Sequence, residues 1–133
     1  MQTFLPYPDF EKTAKCLDYR RLGKQRVEAK QILDCLAGRS MGWKNHPAVK
    51  MWFGCEDALR AYCNEMILEW IRRGYKNTMQ LYETSSREIV FPEVFGDETF
   101  HASHRSNLLR KDSIYYSQFG WNEPHNLSYV WNK

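Results

Sequence analysis

Residues 56–74 read EDALRAYCNEMILEWIRRG. Leu59, Tyr62, Cys63, Met66, Ile67, Trp70 and Ile71 recur at steps of three and four, the spacing that aligns side chains on one face of an α-helix. Arg72 and Arg73 suit the last turn of that helix, where its dipole favours cations, and Gly74 ends it. The stretch predicts a central, buried helix around which the rest of the chain must pack.

Working outward, Asp9 is placed to cap a helix that runs to Leu36, with Gly38 as its stop. Its apolar positions before Gly23 (Phe10, Ala14, Leu17) and after it (Ala29, Ile32, Leu33, Leu36) differ in direction by roughly 80–100° at about 100° per residue. One straight helix cannot bury both stripes, so a kink or short break is expected near Leu22–Gly23. GRSMGWKNHPAV, residues 38–49, reads as a loop. Residues 75–96, which contain Pro92, read mainly as loop with a helical turn around Met79–Tyr82. Asp97 can cap a helix to about Lys111, and Ser113 to Phe119 a short one stopped by Gly120. The tail WNEPHNLSYVWNK is irregular and aromatic. No stretch alternates with strand periodicity, so the expected class is all-α, a compact single domain over residues 1–133.

Composition agrees with a globular domain: 43% hydrophobic, 26% charged, and a net charge of +3 that suits a polyanionic partner. No apolar run approaches the roughly 20 residues a membrane helix needs. MQTFLPYPDF lacks the regions of a signal peptide, so a cytoplasmic protein is expected. Cys16, Cys35, Cys55 and Cys63 form no C-x-x-C pair or zinc-site spacing, and read as reduced, packed thiols.

Polar residues intrude where apolar ones belong. In LDYRRLGKQRVE, residues 17–28, the offsets of Asp18, Arg21, Gln25 and Glu28 place all four on one stripe of a continuous helix. Buried charges must pair or line a wet cleft. Either Asp18 pairs with Arg21 and Arg21 with Glu28 as an internal cluster, or a carboxylate stands among cations in a concave site, fit for general acid–base work or for stabilising a developing cation. Lys24 and Arg26 point away from the stripe and suit phosphate contacts or plain solvation. In HASHRSNLLRKD, His104 and Asn107 share the face of Phe100 and Leu108, with Arg105, Arg110 and Lys111 nearby. In GWKNHPAVKMW, Asn45 and His46 lie between Trp43 and Trp52; aromatic residues among cations are what stacking on exposed bases requires, although most of the chain's aromatic residues should simply fill the core.

Residues 51–77, MWFGCEDALRAYCNEMILEWIRRGYKN, resemble the central helix of the phage-type pyrimidine-dimer DNA glycosylases, also called endonuclease V: an aromatic entry, alternating acids and apolars, then a basic pair, Gly, an aromatic and Asn. HASHRSNLLRKDSIYYSQFGW is similar to that family's closing stretch, and YRRLGKQRVE to its first-helix motif of an aromatic residue, Arg, a catalytic Glu and further basic residues. RLGKQRVE, NHPAV and SHRSNLLRKD together resemble a bacterial group of small proteins related to those glycosylases. The resemblance implies a compact all-α DNA repair enzyme without metal or organic cofactor. In it an N-terminal α-amine attacks the deoxyribose C1′, the base leaves, an imine forms, and a Glu carboxylate supports the sugar cation. Basic residues grip the kinked backbone.

Carried onto this chain, the amine falls on Met1, because Gln2 is too bulky to favour removal of the initiator Met. If Arg26 matches the motif arginine, the acid is Glu28; if Tyr19-Arg20 matches the aromatic–Arg pair, Arg21 stands at the acidic position. Glu28 is the first candidate carboxylate and Asp18 the second. Arg21 and Gln25 would shape the cleft, and Lys24, Arg26, Arg105, Arg110 and Lys111 would meet phosphates. The expected reading is a monomeric DNA N-glycosylase acting on damaged, distorted duplex, with abasic-site lyase activity. A non-catalytic binder of distorted DNA and a nucleoside- or nucleotide-processing enzyme are the alternatives.

Overall fold

The computed structural model describes residues 1–40, 42–84 and 88–131; Met41, residues 85–87 and the last two residues, which fall in the two expected loops and the tail, lie outside the described residues. The elements are α1 (Phe10–Cys16), α2 (Tyr19–Leu36), α3 (Pro47–Trp52), α4 (Glu56–Arg72), α5 (Glu98–Lys111) and α6 (Ser113–Tyr116), the last running into a 3₁₀ turn over Ser117–Phe119. No strand occurs among the described residues, in accord with the all-α expectation.

The central helix is α4. Ala58, Leu59, Tyr62, Cys63, Met66 and Ile67 are buried in one core shared with α1, α2, α3 and α5. The apolar face runs out of the core in the last turn: Trp70 is half-buried, and Ile71 is 48% exposed. All four cysteines are free and buried, as the reading of packed thiols expects.

The interruption between the two apolar stripes comes five residues earlier than the glycine suggested. Leu17 is extended, and Asp18 caps a new helix, its carboxylate accepting the Arg21 N–H at 3.4 Å. An aspartate that can bond the backbone ahead of it offers a fresh helix start. With the chain re-aimed there, Leu17 and Ala29 can both be fully buried. Gly23 is an ordinary helical residue of α2. Its role is close approach: a Cβ at Gly23 would lie 2.9 Å from Cζ3 of Trp70.

Two further expectations are corrected. The loop from Gly38 does not extend to Val49, because α3 starts at Pro47, with His46 as its cap accepting the Ala48 N–H on Nδ1 at 3.0 Å. Proline at a first helical position, where no N–H partner is needed, is the local signal for that start. Met79–Tyr82 forms no helical turn. The Asn64 side chain accepts the Tyr82 N–H at 2.7 Å and donates to the Tyr82 carbonyl at 2.8 Å, so both main-chain groups of Tyr82 are taken by a side chain of α4.

The N-terminal segment shapes the interior most. Gln2, Thr3, Phe4 and Leu5 are buried although they belong to no helix. Their main-chain groups need partners that helices normally supply to themselves. Side chains provide them. Gln25 of α2 accepts the Phe4 N–H at 2.9 Å, and Tyr62 of α4 lies 2.8 Å from the Phe4 carbonyl. His104 of α5 accepts the Leu5 N–H on Nδ1 at 2.9 Å, and His101 takes the Leu5 carbonyl at 2.7 Å. Arg105 donates to the Pro6 carbonyl at 2.8 Å, and Trp52 of α3 donates its indole N–H to the Thr3 hydroxyl at 2.9 Å.

Gly23→Ala should destabilise the fold by about 1–3 kcal/mol through overpacking against Trp70. The loss should shrink in a Trp70→Leu background; urea unfolding of the four variants of that cycle checks it.

Candidate active site

A cavity of about 520 Å³ opens beside α2. Its floor comes from Met1, Gln2, Phe4 and Gln25. Arg20, Arg21 and Lys24 of α2 and Lys111 at the end of α5 place four cations on its rim, with Glu28 as its acid. His46, Tyr129 and Trp131 form an aromatic wall. Trp131 lies 6.0 Å from Tyr129 and 6.4 Å from His46, ring centre to ring centre, and Trp43 continues the wall 5.8 Å from His46.

The polar stripe of α2 divides its labour. Asp18 does not line this cavity; it borders a neighbouring cleft with Arg20, Arg21 and Lys111. Its carboxylate is taken up by the Arg21 guanidinium at 3.1 Å, the Arg21 N–H and the Tyr116 hydroxyl. Burial works to raise its pKa, but the Tyr116 and Arg21 hydrogen bonds outweigh that and hold the group below the usual carboxylate range. Half of the internal-cluster reading therefore holds. The other half does not: Glu28 enters no ion pair among the described residues, and accepts one hydrogen bond, from Gln25 Nε2 at 2.8 Å. Glu28 is half-buried and faces a cavity ringed by cations. Lys111 shows the price of that ring, its pKa lowered by burial and by repulsion from Arg21, Arg110 and Lys24. His46 is shifted down by burial and by the positive Met1 amine, which places that amine's field on the aromatic wall.

Other candidates lie elsewhere. Arg26 stacks over Trp70 at 4.3 Å and donates to Asn77 at 2.8 Å, in an adjoining cleft that shares Arg20, Lys24 and Glu28 with the cavity. Asn45 is exposed on the loop and does not line the cavity. His104, Arg105 and Asn107 are buried. Asn107 donates to the Ser103 and Leu127 carbonyls and accepts from Arg110. Arg105 bonds Glu123 and Glu98 as well as Pro6. The sequence reading missed Arg20, Gln2, Phe4, Tyr129 and Trp131. Arg20 sits beside a residue it did select; the others lie in non-periodic segments, where spacing carries no signal. No group of three His, Cys, Asp or Glu among the described residues is placed to hold a metal ion.

A family model described as pyrimidine dimer DNA glycosylase matches residues 1–83. The chain belongs to this family. Membership places it among DNA-repair proteins of the glycosylase type, with DNA as substrate. The matched region carries the cavity floor, all its α2 residues and His46, whereas Lys111, Tyr129 and Trp131 come from the remainder. No curated protein and no solved structure matches the chain. No helix among the described residues is long and apolar enough to cross a membrane.

The two histidines of α5 make stability depend on pH. His104 accepts on Nδ1 and is pushed down to about 3 by burial and by His101; His101, which accepts the Gly96 N–H on Nε2, is lowered mainly by burial. Both are neutral when folded, whereas the unfolded chain takes up protons below the ordinary value of 6.5. Stability should fall as pH drops below that value, at up to about 1.4 kcal/mol per pH unit for each histidine. Asp18 and Glu69, both shifted down, add their losses only in the carboxylate range. Urea unfolding from pH 7.5 to 5 measures the slope.

Proposed function

We propose that residues 1–133 act as one monomeric DNA N-glycosylase domain on damaged or modified, locally distorted duplex, with abasic-site lyase activity. One observation carries the reading: Glu28, a carboxylate that enters no ion pair among the described residues, lines the same cavity as residue 1 and four cations. Arg20, Arg21, Lys24 and Lys111 would hold the phosphates flanking an extruded nucleotide. The aromatic wall would receive its base.

In this scheme the Met1 amine, unprotonated, donates its lone pair to C1′. The glycosidic C1′–N bond breaks, and the base leaves with the electron pair and is protonated. Glu28 faces the positive charge that develops on the sugar. The new amine loses a proton, the sugar ring opens, and an imine forms between Met1 and C1′. Proton removal from C2′ then expels the 3′ phosphate, which is the lyase step. Asp18 is the weaker candidate carboxylate, since its oxygens are already engaged and it lies outside the cavity. Arg105, Arg110, Asn107 and His104 serve the fold in this reading.

Borohydride should trap the protein on duplex containing an abasic site, with the adduct mapping to residue 1 by mass spectrometry. Glu28→Gln should cut turnover by about 10²–10⁴-fold and leave duplex binding within a few-fold of wild type. Full turnover in Glu28→Gln overturns the assignment. Intact binding without turnover in the wild type, on a panel of damaged duplexes, favours the non-catalytic binder.

A further inference from the structure

Gln25 joins the two halves of the cavity floor. It is 1% exposed, and both ends of its carboxamide are in use. Oε1 accepts the Phe4 N–H at 2.9 Å and contacts the Tyr62 hydroxyl at 2.5 Å. Nε2 donates to the Gln2 carbonyl at 3.0 Å and to Glu28 Oε2 at 2.8 Å. A side chain with no free donor or acceptor cannot also bond DNA. Yet the group that fastens residues 2–4 is the same group that orients Glu28, and Tyr62, fully buried in α4, braces it from behind.

We propose that Gln25 is a positioning residue for the reaction: its carboxamide couples the N-terminal segment to Glu28, so that residue 1 and the working carboxylate keep one relative placement at the cavity. The inference rests on the glycosylase reading given above. Its physical basis is that Nε2 uses one proton on each partner, so neither the segment nor the carboxylate can shift without breaking a buried hydrogen bond. A carboxamide does this without adding charge. A carboxylate in its place would repel Glu28, and an apolar side chain would leave the Phe4 N–H and the Gln2 carbonyl without partners.

Gln25→Glu gives up both Nε2 donations, to the Gln2 carbonyl and to Glu28, and it is the kinetic profile beside the stability that separates positioning from mere fastening. The variant retains acceptors for Phe4 and Tyr62 but sets a second carboxylate against Glu28, a pair that ionises reluctantly. The acid limb of the kcat/KM profile should move to higher pH. The turnover number should fall on the order of tenfold to a hundredfold, the scale set by misplaced catalytic groups, with KM for DNA within about threefold of wild type. Should Gln25→Glu fail to fold, Tyr62→Phe carries the test. It removes the brace without changing charge, and should lower kcat at unchanged KM. A lowered melting temperature with wild-type kcat and pH profile makes Gln25 a core fastener and overturns the inference. The Glu28→Gln variant tells the two failures apart. If it is inactive while the Gln25→Glu profile stays unmoved, this inference alone falls. If it is fully active, the glycosylase reading falls too.

Discussion

A buried segment outside any helix runs through a helical protein, and its peptide groups must be satisfied there. Helices consume their own N–H and C=O groups; residues 2–6 cannot. A buried amide left without a partner costs about 1–3 kcal/mol. Gln25, Tyr62, His101, His104 and Arg105 answer that demand from three different helices. This is why polar side chains face the interior of α2 and α5. The two histidines take up both main-chain groups of Leu5, which also sets their tautomers: Nδ1 of His104 accepts, while His101 accepts on Nε2 and donates from Nδ1.

The same constraint builds the site. Anchoring residues 2–5 leaves residue 1 lining the same cavity as Glu28. On α2 the charges are sorted by what surrounds them. Asp18 is spent on starting the helix and on Arg21 and Tyr116, so its negative charge is locally cancelled. Glu28, ten residues on, enters no ion pair among the described residues and accepts its hydrogen bond from the neutral Gln25 amide. Among the described residues no cation of the rim pairs with it directly, which suits a group whose work is to face a positive charge formed during reaction.

Along the adjoining cleft of α2, Gly23 lets the Trp70 ring press against the helix, and Arg26 stacks on that ring. Arg26, chosen from the sequence as a phosphate contact, is held in that packing by Asn77. Its neighbour Lys24 is on the cavity rim. A helical wheel assigns directions but not neighbours, and could not tell these two cations apart.

Local rules were enough to read the helical class, the caps at Asp9 and Asp97, the stops at Gly38, Gly74 and Gly120, and the buried face of α4. Each depends on contacts within a few residues, and those are written in the spacing of side chains. Glu28, Arg21, His46 and Lys111 were also within reach, because they stand in or beside polar intrusions into apolar patterns, whereas Lys24, read as pointing away from the stripe, was chosen for its charge alone. Where α1 gives way to α2, which carboxylate is quenched and which faces the cavity, and that Tyr129 and Trp131 wall it, depended on long-range packing. Tyr116 meets Asp18 across 98 residues, and His104 meets Leu5 across 99. Such pairings arise from the way the core closes over the N-terminal segment, and no periodicity along the chain encodes them.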